Sequence, residues 1–239
     1  MIAERARVPW ALALALATSL APHSSPVPVP VPVPVPAPVP VPDLVPSLTP
    51  AERELAQVWR ARHPGEPQPT CQLPDPIATL YADLDPAPGV ERVIGDQRFG
   101  IAMYDARGRL LGTADVGGCS DWSVSDHDSL VLSTSRVLGT RYPQLVARTR
   151  VVDNCNDFAE MSILDHRAGK LVDIADIDLD GKAGCGPVHG YRSWRTHVTV
   201  PRPGVIDVRE DGRESADAAT WSPFHFEETL RAGPDGKFR

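Results

Sequence analysis

Aromatic residues make up only 6% of this 239-residue chain, and the signatures of several enzyme classes are missing. No serine sits in a G-x-S-x-G elbow and no histidine pair has H-E-x-x-H spacing, so neither a serine nucleophile on a strand-to-helix turn nor a helical zinc pair is encoded. No G-x-x-x-x-G-K-[ST] loop occurs, and Gly117-Gly118 runs into a cysteine instead, which removes the usual phosphate cradle. The four cysteines, at spacings of 48, 36 and 30 residues, contain no C-x-x-C pair, which argues against structural zinc. A formal charge of -7 argues against nucleic acid or an anionic membrane surface as the main partner. After the amino-terminal region, no segment is apolar for long enough to span a bilayer.

What is present begins with an export pattern. MIAERARVPWALALALATSLAP has a charged start with Arg5 and Arg7, a short apolar run, and small residues at Ala15, Ala17 and Ala21. This predicts a signal peptide over residues 1–17, because the run is interrupted by Pro9 and is shorter than the roughly 20 residues a membrane anchor needs. The expected location is secreted or periplasmic, with no stable membrane span after cleavage. Cys71, Cys119, Cys155 and Cys185 all fall in the exported part, where an oxidising compartment favours two disulfides of open pairing.

Residues 18–48 form a Pro/Val-rich linker. In PVPVPVPVPVPAPVPVP, proline at every second position removes alternate backbone donors and holds the chain near polyproline II, a semi-rigid spacer of about 50 Å at ~3.1 Å per residue. An amphipathic helix is predicted over 49–65, with Thr49 as N-cap, Pro50 at the first helical position, Glu52 placed for a capping box and Pro64-Gly65 as the stop. Ala51, Leu55, Val58 and Trp59 make its apolar stripe, with Arg62 next on that face. Residues 66–239 read as a β-rich domain, with strand candidates at 90–94, 100–104, 109–114, 144–152, 160–164, 170–174, 194–200 and 205–209. In WRTHVTV, Trp194, Thr196, Val198 and Val200 share one mostly apolar side, as in a half-buried strand. The polar residues 230–239 read as a frayed end.

The densest chemistry lies in Asp176-Ile177-Asp178-Leu179-Asp180-Gly181, three carboxylates on alternate residues closed by a glycine. Read as a turn, this is a candidate calcium loop: Asp176, Asp178 and Asp180 would ligate through side chains, and the carbonyl of Lys182 would add an oxygen. An EF-hand is excluded, since its twelfth position requires a bidentate glutamate and Pro187 stands there. A self-similarity frames the stretch. IAMYDARGRLLGTADV aligns with MSILDHRAGKLVDIADI after one inserted residue, matching Asp105 to Asp165, Gly108 to Gly169 and Leu110 to Leu171 at offsets of 60 and then 61.

ADLDPAPGVERVI followed by FGIAMYDARGRLL, together with the second acidic stretch, resembles a degenerate FG-GAP or VCBS-type repeat over roughly residues 81–184. The resemblance implies a calcium loop before a strand and hairpin, blades of a β-propeller, and an adhesion or recognition role. The family pattern continues D-x-D-x-D-G-x-x-D, whereas Gly184 occupies the last ligand position, and the first copy keeps only Asp83 and Asp85 before Pro86. Too few blades fit to close a propeller. The expected fold is therefore mainly β, a small antiparallel sandwich or meander after one short helix, with an incomplete propeller as the alternative.

For catalysis the best local cluster is Ser125-Asp126-His127-Asp128, with His166, His189, His197 and His225 further on. A histidine acts as general base only with a nucleophile or bound water in reach, and none is evident, so a polar turn is the favoured reading of that cluster. Trp122, Trp194, Trp221, Tyr191 and Phe224 could line a carbohydrate or peptide groove, although aromatics this sparse are also needed for the core. The expectation is a non-catalytic binding module for a protein or glycan partner, possessing a calcium-stabilised acidic loop. The alternatives are a secreted hydrolase using His127 and a disulfide-stapled inhibitor of an extracellular enzyme.

Overall fold

The computed structural model describes residues 48–69, 76–116, 130–152, 155–184 and 190–239. The expected signal segment, the proline spacer up to residue 47, Cys71, Cys119, Cys185, Trp122, His189 and the Asp126-His127-Asp128 cluster lie outside the described residues. The chain order is α1 (Pro50–Arg62), β1 (Ala78–Ala82), β2 (Glu91–Asp96), β3 (Gly100–Tyr104), β4 (Leu110–Ala114), β5 (Val131–Ser135), β6 (Gln144–Val152), β7 (Asn156–Arg167), β8 (Lys170–Ala183), β9 (Tyr191–Arg202), β10 (Val205–Ser215) and β11 (Ser222–Arg231). Strands β1 to β4 make one antiparallel sheet and β5 to β11 a second, each strand beside its neighbour in sequence. No closed barrel forms among the described strands, and the mainly β, antiparallel expectation holds. No helix of the described residues is long and apolar enough to cross a membrane.

Three apolar clusters order the layers. Leu55, Ala56 and Trp59 of α1 pack with Ile94, Phe99, Ala102 and Tyr104 on one side of the small sheet. Val93, Ile101, Met103 and Ala114 on its other side meet Leu145, Ala147, Leu164 and Leu171 of the large sheet. All five residues of β3 are therefore buried. The third cluster lies within the large sheet. Strand β9 pairs with β8 only from Gly181 to Ala183, and beyond that short seam the sheet folds back on itself. Val146, Met161, Ile163 and Ile177 from β6 to β8 then enclose a core with Ile206 and Val208 of β10. Burying a side chain such as Ile206 stabilises by about 1.5–3 kcal/mol.

The two self-similar segments are both antiparallel hairpins, β3–β4 and β7–β8, and each register shifts at the matching place of its first strand, between Met103 and Tyr104 and between Ile163 and Leu164, although the extra residue opposite is Leu111 in one and Ile174 in the other, which do not align. Their turns differ. In the first, Asp105 Oδ1 accepts the Arg107 and Arg109 amides at 2.9 and 2.8 Å. The inserted residue lets the second close on Ala168-Gly169 between the paired Arg167 and Lys170, with both turn residues at positive φ, 48° and 78°.

Several expectations need correction. Strands β7, β8 and β10 run well past their predicted ends, and β1, β5 and β11 add to the predicted set. The segment carrying Asp176, Asp178, Asp180 and Lys182 is not a loop, because all four lie inside β8. The tail is not frayed: Phe238 is buried, bridges Ala232 and donates its amide to the Ile174 carbonyl at 2.8 Å.

The helix is fixed to the small sheet by a buried polar chain. Thr49 and Glu52 form the capping box, with the Thr49 amide donating to Glu52 Oε2 at 2.5 Å and the Glu52 amide to Thr49 Oγ1 at 3.2 Å. The other Glu52 oxygen accepts from Arg98 Nη2 at 2.6 Å, and the same guanidinium donates to Asp96 Oδ2 at 2.9 Å. Asp96 Oδ1 accepts the Phe99 amide at 2.7 Å, which closes the β2–β3 turn. Burial raises the Glu52 carboxyl, but the Arg98 and Thr49 hydrogen bonds overcome it and hold it below the usual carboxylate range. Burial prevails at Asp96, which is raised despite the Phe99 amide and Arg98. Arg98→Ala leaves two buried carboxylates without their cation and should cost about 3–5 kcal/mol in urea unfolding. A loss under about 1 kcal/mol would show that the chain does not hold the helix.

Candidate functional site

The acidic run lies in a strand, which changes how its carboxylates are arranged. Asp176 and Asp178 are alternate residues of β8 and share a face about 6.8 Å apart, whereas a bulge between Asp178 and Gly181, opposite Glu160 and Phe158, interrupts the alternation before Asp180. Calcium oxygens sit at about 2.3–2.6 Å from the ion, and the extended run lacks the turn that would aim three successive carboxylates inward. Ile177 and Leu179 between them face the inner core of the folded sheet. Gly181 is a glycine for another reason than a turn: a Cβ there would lie 2.5 Å from the Phe158 Cβ and 2.7 Å from the Trp194 ring. Asp180 Oδ1 accepts the Thr196 amide at 2.9 Å, beside the seam. Lys182 stands opposite Asp157 on β7, whose carboxylate pairs with Arg150 at 2.6 Å. No group of three or more His, Cys, Asp or Glu among the described residues is arranged to hold a metal.

The acidic face is nonetheless electrostatically loaded. Asp178 lies opposite Glu160 and Asp176 opposite Ser162. Burial, then repulsion from Asp178 and Asp176, raises the Glu160 carboxyl. Asp173 is exposed as a residue, yet partial desolvation of its carboxyl, then a hydrogen bond with Asp176 and repulsion from it, pushes it up to about 7. The first acidic stretch is structural. Asp85 is buried, caps the Ala87 amide at 2.6 Å and lies 3.6 Å from His166 Nδ1, while buried Glu91 accepts the Leu84 amide at 2.6 Å.

The register draws four of the five sequence-noted aromatics to one end of the large sheet. Phe158 lies opposite Gly181, Gly181 opposite Trp194, Trp194 opposite Gly212 and Gly212 opposite Phe224, so aromatic and glycine alternate across five strands. Each glycine leaves room for the rings beside it, since a Cβ on Gly212 would lie 2.6 Å from the Phe224 ring. Phe158 and Trp194 are tilted at 6.4 Å between centroids. The Arg192 guanidinium lies 4.3 Å from the Phe224 centroid and 5.4 Å from that of Trp194, and pairs with Glu210. The indole Nε1 of Trp194 is buried with no hydrogen-bond partner among the described residues, a donor that costs about 1–3 kcal/mol to leave unmade.

Two residues further along each strand, Asn156, Ala183, Arg192, Glu214 and Ser222 form the next row, in register across the same five strands. These five belong to the lining of a cavity of about 920 Å³ that also takes in Tyr191, Asp217 and Thr220. The β10–β11 loop at its rim is internally braced. Asp217 Oδ1 accepts the Ala219 and Thr220 amides at 2.8 and 2.9 Å, and these and the Ser215 hydroxyl hold its carboxyl below the usual range, the Thr220 amide contributing most. Trp221, tilted at 6.4 Å from Tyr191, donates Nε1 to the Ala218 carbonyl at 3.1 Å and stacks with Arg213 at 4.9 Å. A concave, preorganised surface of mixed polar and aromatic character is suited to holding a ligand. Sequence reading supplied the aromatics but missed the polar row, which only cross-strand register assembles.

No protein-family model, curated protein or solved structure matches the chain.

A test of the acidic face follows from Asp173. Its folded value of about 7 exceeds its ordinary value of 3.8, so its contribution to stability is fully present below about pH 4 and is lost as pH rises through 7. Asp173→Asn should therefore flatten the fall of the thermal midpoint between pH 4 and 8. An unchanged pH profile in the variant would show that Asp173 carries no such proton.

Proposed function

We propose that this chain is an exported, non-catalytic recognition module that binds a protein or glycan partner at the strand-end pocket. The observation that carries the reading is the row of Arg192, Glu214 and Ser222, in register across β9 to β11, which lines the 920 Å³ cavity together with the Tyr191 ring. Planar polar side chains offer directed hydrogen bonds and fixed rings offer apolar area at low entropic cost, a combination that suits recognition. Export rests on the leader pattern of residues 1–17. Two disulfides fit this setting, and no cysteine among the described residues is free. Both self-similar segments form antiparallel hairpins, in keeping with the hairpin the FG-GAP/VCBS resemblance implies.

Calcium enters this reading in altered form. Asp176, Asp178 and Asp180 lie along one strand, so a cation there would be held by single carboxylates and water, and binding of that kind is weak. Millimolar calcium should then raise the thermal midpoint by a few degrees over chelator, since a ligand of the native state stabilises it. An unchanged midpoint removes calcium from the proposal.

Ligand binding is read from tryptophan fluorescence during titration with candidate oligosaccharides and peptides. Arg192→Ala and Trp221→Ala should each weaken a detected interaction about tenfold while leaving the unfolding midpoint nearly unchanged. Full affinity in both variants, or no binding by the parent protein across a glycan array and a peptide library, defeats the pocket as the recognition surface.

A further inference from the structure

The outer edge of β11 carries a pattern that the proposed pocket does not use. Backbone bonds at its end fix which groups face outward. The Ala232 amide donates to Gly204 on the β10 side at 3.0 Å, whereas Arg231 exchanges amide–carbonyl bonds with Arg239 at 2.8 and 3.1 Å on the open side. By strand alternation the odd-numbered residues therefore direct N–H and C=O away from the sheet. Pro223 agrees, because its missing N–H falls at one of those outward places. Between Pro223 and the Arg231–Arg239 pair, the outward backbone groups of His225, Glu227 and Thr229 have no main-chain partner among the described residues.

The open edge is self-complementary about Phe226, one of the large apolar side chains exposed on the surface, at 38%. Set antiparallel to a second copy with Phe226 opposite itself, His225 falls opposite Glu227 on both sides of the two-fold axis. The same axis puts Phe224 opposite Glu228 and Pro223 opposite Thr229. Phe226 then occupies a non-hydrogen-bonded position, where facing side chains approach most closely. Each His225–Glu227 pair exchanges two main-chain hydrogen bonds, and each Pro223–Thr229 pair makes one, since proline has no donor. Within each copy His225 already lies 2.7 Å from Asp211 through Nδ1 and 3.1 Å from Glu227 through Nε2, and the axis brings the second copy's Glu227 to the same imidazole. A parallel partner lacks this arrangement.

We infer that β11 is a homodimerisation edge, at which two copies of this chain join their large sheets by antiparallel pairing centred on Phe226. The interface is small, so the dimer is weak and appears at high concentration. Sedimentation velocity on the full chain from about 10 μM to about 1 mM, spanning the weak-affinity range, should show a monomer–dimer equilibrium. Glu227→Pro removes an N–H that faces solvent in the monomer, and should weaken the dimer at least tenfold while leaving the circular dichroism spectrum unchanged. Phe226→Lys sets two ammonium groups against each other at the axis and should do the same, which keeps the test decisive if the proline variant does not fold. A protein that stays monomeric through 1 mM, or a dimer that both folded variants leave intact, overturns the inference.

Discussion

The seam between β8 and β9 is only three residue pairs long, and both the inner core and the candidate pocket depend on that brevity. A longer pairing would keep β9 to β11 coplanar with β5 to β8, and Ile206 and Val208 would have nothing to pack against. Because pairing stops at Gly181, the later strands turn over Met161, Ile163 and Ile177 and bury them. The short contact also sets two rows in register at the open end of the fold, one aromatic and one polar. Core and pocket are thus two ends of the same folded surface.

The polar chain from Thr49 to Asp96 places a similar demand on the other side of the molecule. Glu52 caps its own helix and also anchors it, since one oxygen serves Thr49 and the other Arg98. Such a chain adds direction more than net energy, because desolvating the three ions offsets most of their attraction. The apolar contacts of Leu55 and Trp59 supply the energy, and Arg98 specifies where on the small sheet they fall.

The helix was legible in sequence because its signals are local: Thr49, Pro50, Glu52 and Pro64 each act within a turn of where they stand. Strand positions were legible where side chains alternate, as in WRTHVTV, whereas β11 exposes both faces along most of its length and shows little apolar alternation. The acidic run was misread for a definite reason. Carboxylates at i, i+2 and i+4 with apolar residues between them satisfy both a metal loop and a strand with one wet face. What separates the two is the partner strand, from Phe158 to Ser162, which lies many residues away. The pocket was less legible still, as its polar row joins residues from five strands through register and leaves no local signature.

The order of strands in both sheets follows the order of the chain. Each strand therefore pairs with the one made just before it, and the chain closes only short loops as it zips up. Topologies built from such local pairings have a low entropic barrier to their first contacts and need not wait for distant segments. The contacts that join remote parts are α1 onto the small sheet, the small sheet onto the large one, the β8–β9 fold-over and Phe238 onto the Ile174 carbonyl. Assembly can thus run from one end to the other, with the terminal tail fastening the inner core last.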